Sequence, residues 1–544
     1  MKLNDELVKK ILLEGGYITE EDIIKAEEHA KDYRSSITEY LFLKELLSKD
    51  ILGQAIADHL GIEYADLNSK IPSKDQVFLL PEDIAKEFRV VVFSQEESEV
   101  VMATDDPHGG GLLEAVKPFF SNKKITFAFS MPEDIDNVFA DYYKGFHIGT
   151  LEEIKEKGLT APETINKLIE DALVLKASDI HFEPEEESAF VRFRVDGVLH
   201  DIGEIPKEYY ENIVSRLKVQ AKLRIDEHFT PQDGAIRFSS PSYEDHIDLR
   251  VSIIPTLDGE KVVVRVLSSY VRDLTLSDIG LSDRLQEQIT KSIKKPFGMI
   301  LVVGPTGSGK TTTLYSVIKM LNTRKVNITT IEDPVEYKIK GVNQIQINPQ
   351  AGFTFANSLR AVMRQDPNTI FVGEIRDLET AEIAVNAALT GHLLLSTFHA
   401  NNSVSVIPRI LDMGVDSFLV GSTIELVVSQ RLVRRICDFC KVSYILKKED
   451  SPEIVQYFNE DSVNLYKGKG CEHCSNTGYK GRVGVFEFLS FSQELQDLTS
   501  KEPSTNEVLQ LAREQGFVSM FEDGMEKVRL GITTIDELLR VVEH

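Results

Sequence analysis

The fold is decided by the stretch Met299-Ile300-Leu301-Val302-Val303-Gly304-Pro305-Thr306-Gly307-Ser308-Gly309-Lys310-Thr311. Its first five residues are apolar and predict a buried strand, and residues 312–321 predict a helix. The segment between them matches G-x-x-x-x-G-K-[ST], which is typical of a phosphate-binding P-loop when a strand precedes it and a helix follows. An ordinary glycine turn is the alternative, and the Lys310-Thr311 pair after an apolar strand argues against it.

Each part of this loop has a predicted task in binding ATP. The glycines let backbone N–H groups face the phosphates, and the N-terminus of the following helix adds a favourable electrostatic field. Lys310 would reach the β- and γ-phosphates, and the Thr311 hydroxyl would ligate Mg²⁺. The predicted nucleotide-binding residues are Gly304, Pro305, Thr306, Gly307, Ser308, Gly309, Lys310, Thr311 and Thr312.

Acidic and histidine residues follow or flank three further predicted strands. Glu374 comes at the end of the strand at 369–372, where open α/β sheets bind ligands, and it is a candidate for orienting or deprotonating the attacking water. Glu332 and Glu336 follow the strand at 327–331 and are candidates for holding water around Mg²⁺. His392 and His399 flank the strand at 393–396 and are candidates for contacting phosphate. The alternatives are solvated carboxylates and structural histidines, and the P-loop favours the functional interpretation.

Residues 160–275 predict a second unit that is rich in arginine. Residues 189–195 alternate between polar and apolar, which places Arg192 and Arg194 on one face of a strand, and Asp196-Gly197 is a hairpin signal. Nucleotide sites of oligomeric ATPases often take positive charge from outside the P-loop domain, and arginine supplies it well because it is planar and always ionised. A surface salt bridge is the alternative for any one of these residues. The candidates are Arg192, Arg194, Arg216, Arg250 and Arg265.

All four cysteines lie in one region as two C-x-x-C pairs, Cys437 with Cys440 and Cys471 with Cys474. The spacing predicts a four-thiolate Zn²⁺ site, and four protein ligands leave no position for a reactive water, so the role is structural. The intervening residues 441–470 are longer than the usual spacer of about 15–20 residues and predict a hairpin or a helical excursion. Four free buried cysteines are the alternative.

The length and the net charge of the chain limit the number of its domains and the kinds of partner that it can bind. The 544 residues predict three or four domains, and the net charge of −26 disfavours a broad nucleic-acid surface, which must neutralise phosphates. The first residues lack the apolar run of a signal peptide, and no stretch of about 18 apolar residues occurs in the sequence. These features predict a cytoplasmic protein that associates with a membrane only through partners.

The remaining organisation follows from local patterns. Residues 1–65 predict short amphipathic helices with Thr19 and Ser48 as N-caps, and residues 66–145 predict a mixed α/β part. Apolar strands alternate with helices over residues 276–430, which predicts an α/β core. The last part is helical, and Thr534 with Glu537 fits a capping box.

Together these motifs resemble one family, the ATPases of type II secretion and type IV pilus assembly. The family carries a Walker A loop, an Asp box, a Walker B box and a His box in that order. The matching segments are 304–311, 329–336, 369–374 and 389–401. The segments 177–181, 192–199 and 231–234 resemble the domain that precedes the core, and the cysteine segment resembles a domain of the assembly members. The resemblance is strong over residues 160–544 and weak over residues 1–145.

The resemblance implies an α/β fold: a RecA-like P-loop NTPase core, preceded by a PAS-like α+β domain and a helical N-terminal domain, with a tetracysteine zinc subdomain. It divides the chain into an N-terminal platform-docking domain, a linker, the PAS-like domain, the ATPase core, the zinc subdomain and a helical C-terminal subdomain. Their expected bounds are 1–145, 146–160, 161–275, 276–430, 431–485 and 486–544.

The resemblance also implies a function and partners. It implies a cytoplasmic homo-hexamer, at the inner face of the cytoplasmic membrane, that hydrolyses ATP to power assembly of a type IV pilus or a type II secretion pseudopilus. ATP, Mg²⁺ and Zn²⁺ are the implied cofactors, and an inner-membrane platform protein is the implied partner. Some members bind cyclic di-GMP, but the first helical repeat here lacks their Arg-Leu-Gly start, which argues against that ligand. The His box reads His399-Ala400-Asn401, where the family more often has Thr in the middle.

Two other functions compete with this one. A nucleotide-binding scaffold without turnover is disfavoured by the intact acidic boxes. A DNA-translocating ring ATPase is disfavoured by the charge of −26 and by the order of the domains.

Overall fold

The computed structural model shows two compact units that divide near residue 270. None of the helices in the part of the chain that it describes has both the length and the hydropathy needed to cross a bilayer. The described residues are 5–33, 36–43, 46–67, 70, 72–96, 98–120, 123–132, 134–135, 138–139, 160–239, 247–267, 274–348, 351–449, 451–458 and 460–542.

The first unit begins with helices, as the sequence predicts. Thr19 and Ser48 each accept a hydrogen bond from a backbone N–H of the helix that follows, so both are N-caps. The predicted linker at 146–160 lies outside the described residues except for Thr160, which caps the next helix together with Glu163. In chain order the elements are α1 (Asp5–Glu14), α2 (Glu20–Tyr33), α3 (Ile37–Leu43), α4 (Lys49–Leu60), α5 (Lys74–Val77), α6 (Glu82–Glu87), β1 (Val90–Gln95), β2 (Glu99–Thr104), α7 (Leu112–Val116), β3 (Lys124–Phe129), α8 (Ala161–Val174), β4 (Asp179–Pro184), β5 (Ser188–Val195), β6 (Val198–Pro206), α9 (Lys207–Gln220), β7 (Gln232–Phe238), β8 (Ile247–Thr256) and β9 (Gly259–Leu267).

Two sheets organise this unit. Strands β1, β2 and β3 form a small mixed sheet. The second sheet has six strands in the order β6-β5-β4-β9-β8-β7, and every neighbouring pair is antiparallel. Its apolar face packs with α8 and α9, and Val191 and Phe193 are fully buried there. The alternation predicted for residues 189–195 is therefore confirmed, since Arg192 and Arg194 lie on the other face.

The second unit is built on a seven-stranded sheet with helices on both faces. Its elements are α10 (Asp283–Ile293), β10 (Gly298–Val303), α11 (Lys310–Leu321), β11 (Ile328–Glu332), β12 (Asn343–Gln346), α12 (Phe355–Val362), β13 (Thr369–Ile375), α13 (Leu378–Leu389), β14 (Leu393–Phe398), α14 (Val406–Asp412), α15 (Ser417–Thr423), β15 (Ile424–Ile436), β16 (Lys441–Lys447), α16 (Pro452–Tyr457), β17 (Ser462–Gly468), β18 (Tyr479–Ser490), α17 (Gln493–Thr499), α18 (Thr505–Glu514), α19 (Met520–Arg529) and α20 (Ile535–Val541).

The strand order of this sheet is β12-β11-β13-β14-β10-β15-β18. The first six strands are parallel, and β18 pairs antiparallel with β15 at the edge. Each residue of β10 and of β14 is buried, because the apolar runs of these central strands are covered on both faces. The carboxyl ends of β10, β11, β13 and β14 consequently meet at one edge of the sheet, where such folds bind ligands.

The C-terminal helices pack against the β15–β18 pair. Thr534 accepts a hydrogen bond from the Glu537 N–H at the start of α20, which is one half of the predicted capping box. The other half is replaced, because the Glu537 carboxylate accepts hydrogen bonds from Arg434 and Arg540 instead. That carboxylate therefore joins the last helix to the sheet.

Candidate functional site

The P-loop connects β10 to α11, and at two of its positions only glycine fits the backbone conformation and the space. Gly304 has φ +143, and a Cβ there would lie 2.4 Å from the carbonyl oxygen of Gln430. Gly309 has φ +87, and a Cβ there would lie 2.8 Å from the Gln430 side chain. The Ser308 hydroxyl is buried and has no hydrogen-bond partner among the described residues. This cradle of backbone and small side chains fits a bound phosphate group, as the motif requires.

Lys310 is the cation of this loop. Its Nζ donates to the carbonyl oxygens of Gly304 and Pro305, both at 2.9 Å. Burial lowers the pKa of Lys310, and the charge of Glu374 partly opposes that effect. Thr311 and Thr312, at the start of α11, are half-buried. The loop therefore holds its ammonium group against two of its own backbone carbonyl oxygens, and the charge of the strand-end carboxylate Glu374 favours the protonated form.

Glu374 stands at the end of β13, where a β-bulge between Val372 and Ile375 turns the strand. Its Oε2 lies 2.5 Å from the Nε of Arg376 and 3.3 Å from the Nε2 of His399. The carboxylate side chain is only 13% exposed, whereas that of His399 is 52% exposed. The structure thus brings together Glu374 and His399 from two neighbouring parallel strands. Arg376 was not among the predicted site residues, although it lies only two residues from Glu374.

Glu332 has a different environment from the one expected. Its side chain accepts hydrogen bonds from the hydroxyls of Tyr315 and Thr330 and from Gln344 Nε2 at 3.3 Å. It is 2% exposed, and burial raises the pKa of Glu332 despite these donors. The Tyr315 oxygen also accepts from the backbone N–H of Glu336 at 3.3 Å. Tyr315 on α11 therefore joins the P-loop helix to the acidic segment, and a direct role of Glu332 or Glu336 around Mg²⁺ stays a prediction.

His392 lies at the opposite edge of the sheet from Glu374 and His399. Its backbone carbonyl accepts from the N–H of Gly298, the first residue of β10, and its Nδ1 lies 2.9 Å from the carbonyl oxygen of Ala387. It therefore precedes β14, at the edge of the sheet opposite to His399. The six residues of β14 lie between the two histidines, so their Cα atoms are about 23 Å apart, since a strand rises about 3.3 Å per residue. The histidines at both ends of this strand are predicted to contact phosphate, but only the carboxyl end faces the P-loop.

The candidate arginines belong to the first unit, and three of them form ion pairs there. Arg194 and Arg265 share one carboxylate, with Nε atoms 3.8 and 3.1 Å from the oxygens of Asp179. Arg192 pairs with Glu183. Arg216 is exposed on α9 and Arg250 is half-buried on β8. Their predicted part in completing the nucleotide site stays a prediction.

The four cysteines form a compact cluster in the second unit. Their Sγ atoms all lie within 4.8 Å of one another, and three of the separations are 3.7–3.8 Å. Zn–S bonds of about 2.3 Å at tetrahedral angles place the sulfurs about 3.8 Å apart, so the cluster fits Zn²⁺. Backbone N–H groups of Cys471 and Gly478 donate to the Cys474 Sγ, both at 3.2 Å. The residues between the pairs form the hairpin of β16 and β17 with the short helix α16, as predicted.

Comparisons with known proteins agree with this geometry. The family model described as type II/IV secretion system protein matches residues 155–540, and that of the MshEN domain matches residues 60–148. The chain is 35% identical to the type IV pilus assembly ATPase PilB of Pseudomonas aeruginosa, over 99% of this chain and 100% of that protein. It is 44% identical to the type II secretion system protein E of the same organism, over 72% of this chain and 78% of that protein.

A solved structure supports the fold. The ATPase DotB of Legionella pneumophila is 22% identical, covers 70% of this chain with 96% of its own length, and superimposes with a TM-score of 0.53. The relatives that match nearly the whole chain are named type IV pilus assembly ATPase or type II secretion system protein E. The chain therefore belongs to the type II/IV secretion system protein family, and it is an ATPase of the kind that serves type IV pilus assembly or type II secretion.

Proposed function

We propose that this chain is a hexameric cytoplasmic ATPase that powers assembly of a type IV pilus or a type II secretion pseudopilus. The observation that carries the proposal is the meeting of the P-loop, Glu374 and His399 at the carboxyl edge of one parallel sheet. Within this proposal, we expect residues 1–145 to dock to an inner-membrane platform protein and residues 276–430 to hydrolyse ATP.

Each group at this edge has a task in hydrolysis. Bound Mg²⁺–ATP supplies the phosphoryl group and the metal charge that neutralises it. Lys310 would turn from the carbonyls of Gly304 and Pro305 to the phosphates, and Thr311 would ligate the metal. Glu374 orients the attacking water and accepts its proton, while His399 and Arg376 hold the carboxylate in place.

The arginines of the first unit are candidates for the positive charge that the nucleotide site of an oligomeric ATPase takes from outside its P-loop domain. Arg194 and Arg265 share the single carboxylate of Asp179, so their combined charge remains net positive and attracts phosphate. We expect hydrolysis to be coupled to movement within the ring, and we expect the platform protein to receive that movement. Zinc at the four cysteines would stabilise the segment between β15 and β18.

Steady-state hydrolysis by the Glu374→Gln variant tests the proposal. The variant keeps the size of the side chain but loses the base, so we expect kcat to fall at least about hundredfold while ATP binding is retained. Glu379→Gln is the matched control, because Glu379 is an exposed glutamate on α13 that pairs with Arg360 away from the P-loop. Unchanged turnover in Glu374→Gln would remove this residue from the proposed role.

The competing functions predict other results. A scaffold without turnover would bind ATP and release no phosphate in the unaltered protein. A DNA-translocating ring would bind duplex DNA tightly at physiological salt and hydrolyse ATP faster with DNA present. Phosphate release that DNA does not stimulate supports the pilus or pseudopilus motor.

A further inference from the structure

Glu487 on β18 is a buried carboxylate that does not touch the P-loop. Its Oε1 accepts hydrogen bonds from the backbone N–H of Ser403 at 2.6 Å and from the Ser403 hydroxyl at 2.8 Å. Its Oε2 accepts from the backbone N–H of Met520 at 3.3 Å. Glu487 is 7% exposed, and its hydrogen-bond donors among the described residues are these three neutral groups. Burying a carboxylate is costly, so these contacts must hold it firmly.

One of the donors belongs to the end of a helix. Met520 is the first residue of α19, and the N-terminus of a helix carries partial positive charge that favours a nearby anion. The capping residue Ser519 is already engaged, because its N–H and hydroxyl donate to Glu522. Glu487 therefore accepts the next backbone N–H of this terminus, that of Met520, and its carboxylate joins β18 to α19. A second bond, from the N–H of Phe486 to Asp523 at 2.8 Å, joins the same two elements.

The other donor belongs to the loop that carries His399. This loop leaves β14 after residue 398 and reaches Ser403, whose N–H and hydroxyl are both bound to Glu487. Asn402 accepts the N–H of Ser405 at 2.9 Å, which orders the entry into α14. The loop is therefore fixed at both ends, by β14 on one side and by Glu487 on the other. His399 lies between these fixed points, with its Nε2 3.3 Å from Glu374.

We propose that Glu487 is a positioning residue of the ATPase site, which acts through His399. It ties the loop of residues 399–403 to the N-terminus of α19, so that the place of His399 beside Glu374 depends on the C-terminal helices. The inference rests on the proposed role of His399 in hydrolysis. A Gln at this position would lose the charge and would present an amide donor to groups that are themselves donors.

A double-mutant cycle on the full chain tests this inference. Steady-state ATP hydrolysis is measured for the unaltered protein, Glu487→Gln, His399→Ala and the double variant. We expect Glu487→Gln to lower kcat about tenfold with little change in the KM for ATP, because a misplacement of about 1 Å costs up to about hundredfold. In the His399→Ala background the same change should lower kcat by less than about twofold, since the group it positions is gone.

Asp523→Asn is the matched control for a merely structural effect. Asp523 is a buried carboxylate of α19 that bonds the Phe486 N–H and Lys527, and the described contacts connect it to neither His399 nor Ser403. We expect it to lower the melting temperature at least as much as Glu487→Gln, because it removes the carboxylate beside buried Lys527 and leaves that charge with the carbonyl of Gly484. The kcat of the folded enzyme should change by less than about twofold. If Glu487→Gln fails to fold, Ser403→Ala replaces it in the double-mutant cycle, because this variant removes the hydroxyl that donates to the Glu487 carboxylate.

The outcomes separate this inference from the proposed function. Unchanged kcat in His399→Ala overturns the role of His399 and the inference with it. A lowered kcat in His399→Ala, combined with a full tenfold further loss in the double variant, overturns the positioning role and leaves the ATPase site intact. A loss of kcat in Asp523→Asn as large as that in Glu487→Gln also overturns it, because the effect would then follow stability.

Discussion

Replacing Glu537 by Gln should destabilise the C-terminal part of the chain in a pH-dependent way. The Glu537 side chain is 3% exposed and accepts four hydrogen bonds of 2.6–3.1 Å from Arg434 and Arg540. Burial alone would raise the pKa of Glu537, but the hydrogen bonds from Arg540 and Arg434 outweigh it and lower the pKa from 4.5 to about 2. The ionised form is therefore strongly preferred in the folded state.

The size of the effect follows from this difference in proton affinity. A fall from 4.5 to about 2 corresponds to about 3.4 kcal/mol of folding free energy at neutral pH, at about 1.4 kcal/mol for each tenfold change. Because the pKa is lower in the folded state, this stability is fully present above about pH 4.5 and is lost as the pH falls toward 2. Between pH 7 and pH 3 the loss should be about 2 kcal/mol.

The assay is urea unfolding of the full chain followed by far-UV circular dichroism, with amide exchange of α20 to identify the transition that contains it. At pH 7 we expect Glu537→Gln to be about 2–3 kcal/mol less stable than the unaltered chain, and at pH 3 this difference should shrink by about 2 kcal/mol. Asp536→Asn, an exposed neighbour in the same helical turn, should change stability by less than about 0.5 kcal/mol at both pH values. A difference between Glu537→Gln and the unaltered chain that is equal at pH 7 and pH 3 would refute the reasoning.

Three further predictions concern the ATPase unit. Tyr315→Phe removes a donor to buried Glu332 and should lower the free energy of unfolding by about 1–3 kcal/mol, measured by urea titration; no change would mean that the bond contributes nothing. Gly309→Ala should weaken ATP binding more than tenfold by calorimetry, because its Cβ would lie 2.8 Å from Gln430, whereas Gly391→Ala at φ +102 in open space should not. Reduced protein should contain about one zinc per chain by atomic emission, and Cys474→Ser should contain much less; a low content in both contradicts the metal site.

The P-loop and its sheet were predictable because their signals are local. Apolar runs of strand length predicted β10, β13 and β14, and the motif fixed where the chain turns into α11. Glu374 was predictable for the same reason, since an acidic residue directly follows an apolar strand. Arg376 lies two residues later, and the bulge that brings it to Glu374 depends on how β13 pairs with β14.

Whether a side chain is buried, and which end of a strand faces the P-loop, are harder to predict from one sequence. Glu332 ends a strand as Glu374 does, yet its carboxylate is buried because Tyr315 on the P-loop helix reaches it. His392 and His399 both flank β14, and only the parallel order of the sheet shows which end faces the P-loop. In each case the deciding contact comes from another element, so the pattern around the residue carries no signal for it.

The residues that hold the site in place come from the pair of strands most distant from it in sequence. Gln430 on β15 accepts the Thr313 hydroxyl at 2.6 Å and lies against Gly304 and Gly309, while Glu487 on β18 holds the His399 loop. In the register of the pair, Gln430 lies opposite Phe486, the residue next to Glu487. The same two strands carry the cysteine segment between them and the helices after them. One antiparallel pair of strands therefore supports both the P-loop and the His399 loop. Because the C-terminal helices pack on this pair, a movement of those helices that shifts the pair would displace both loops of the ATPase site together.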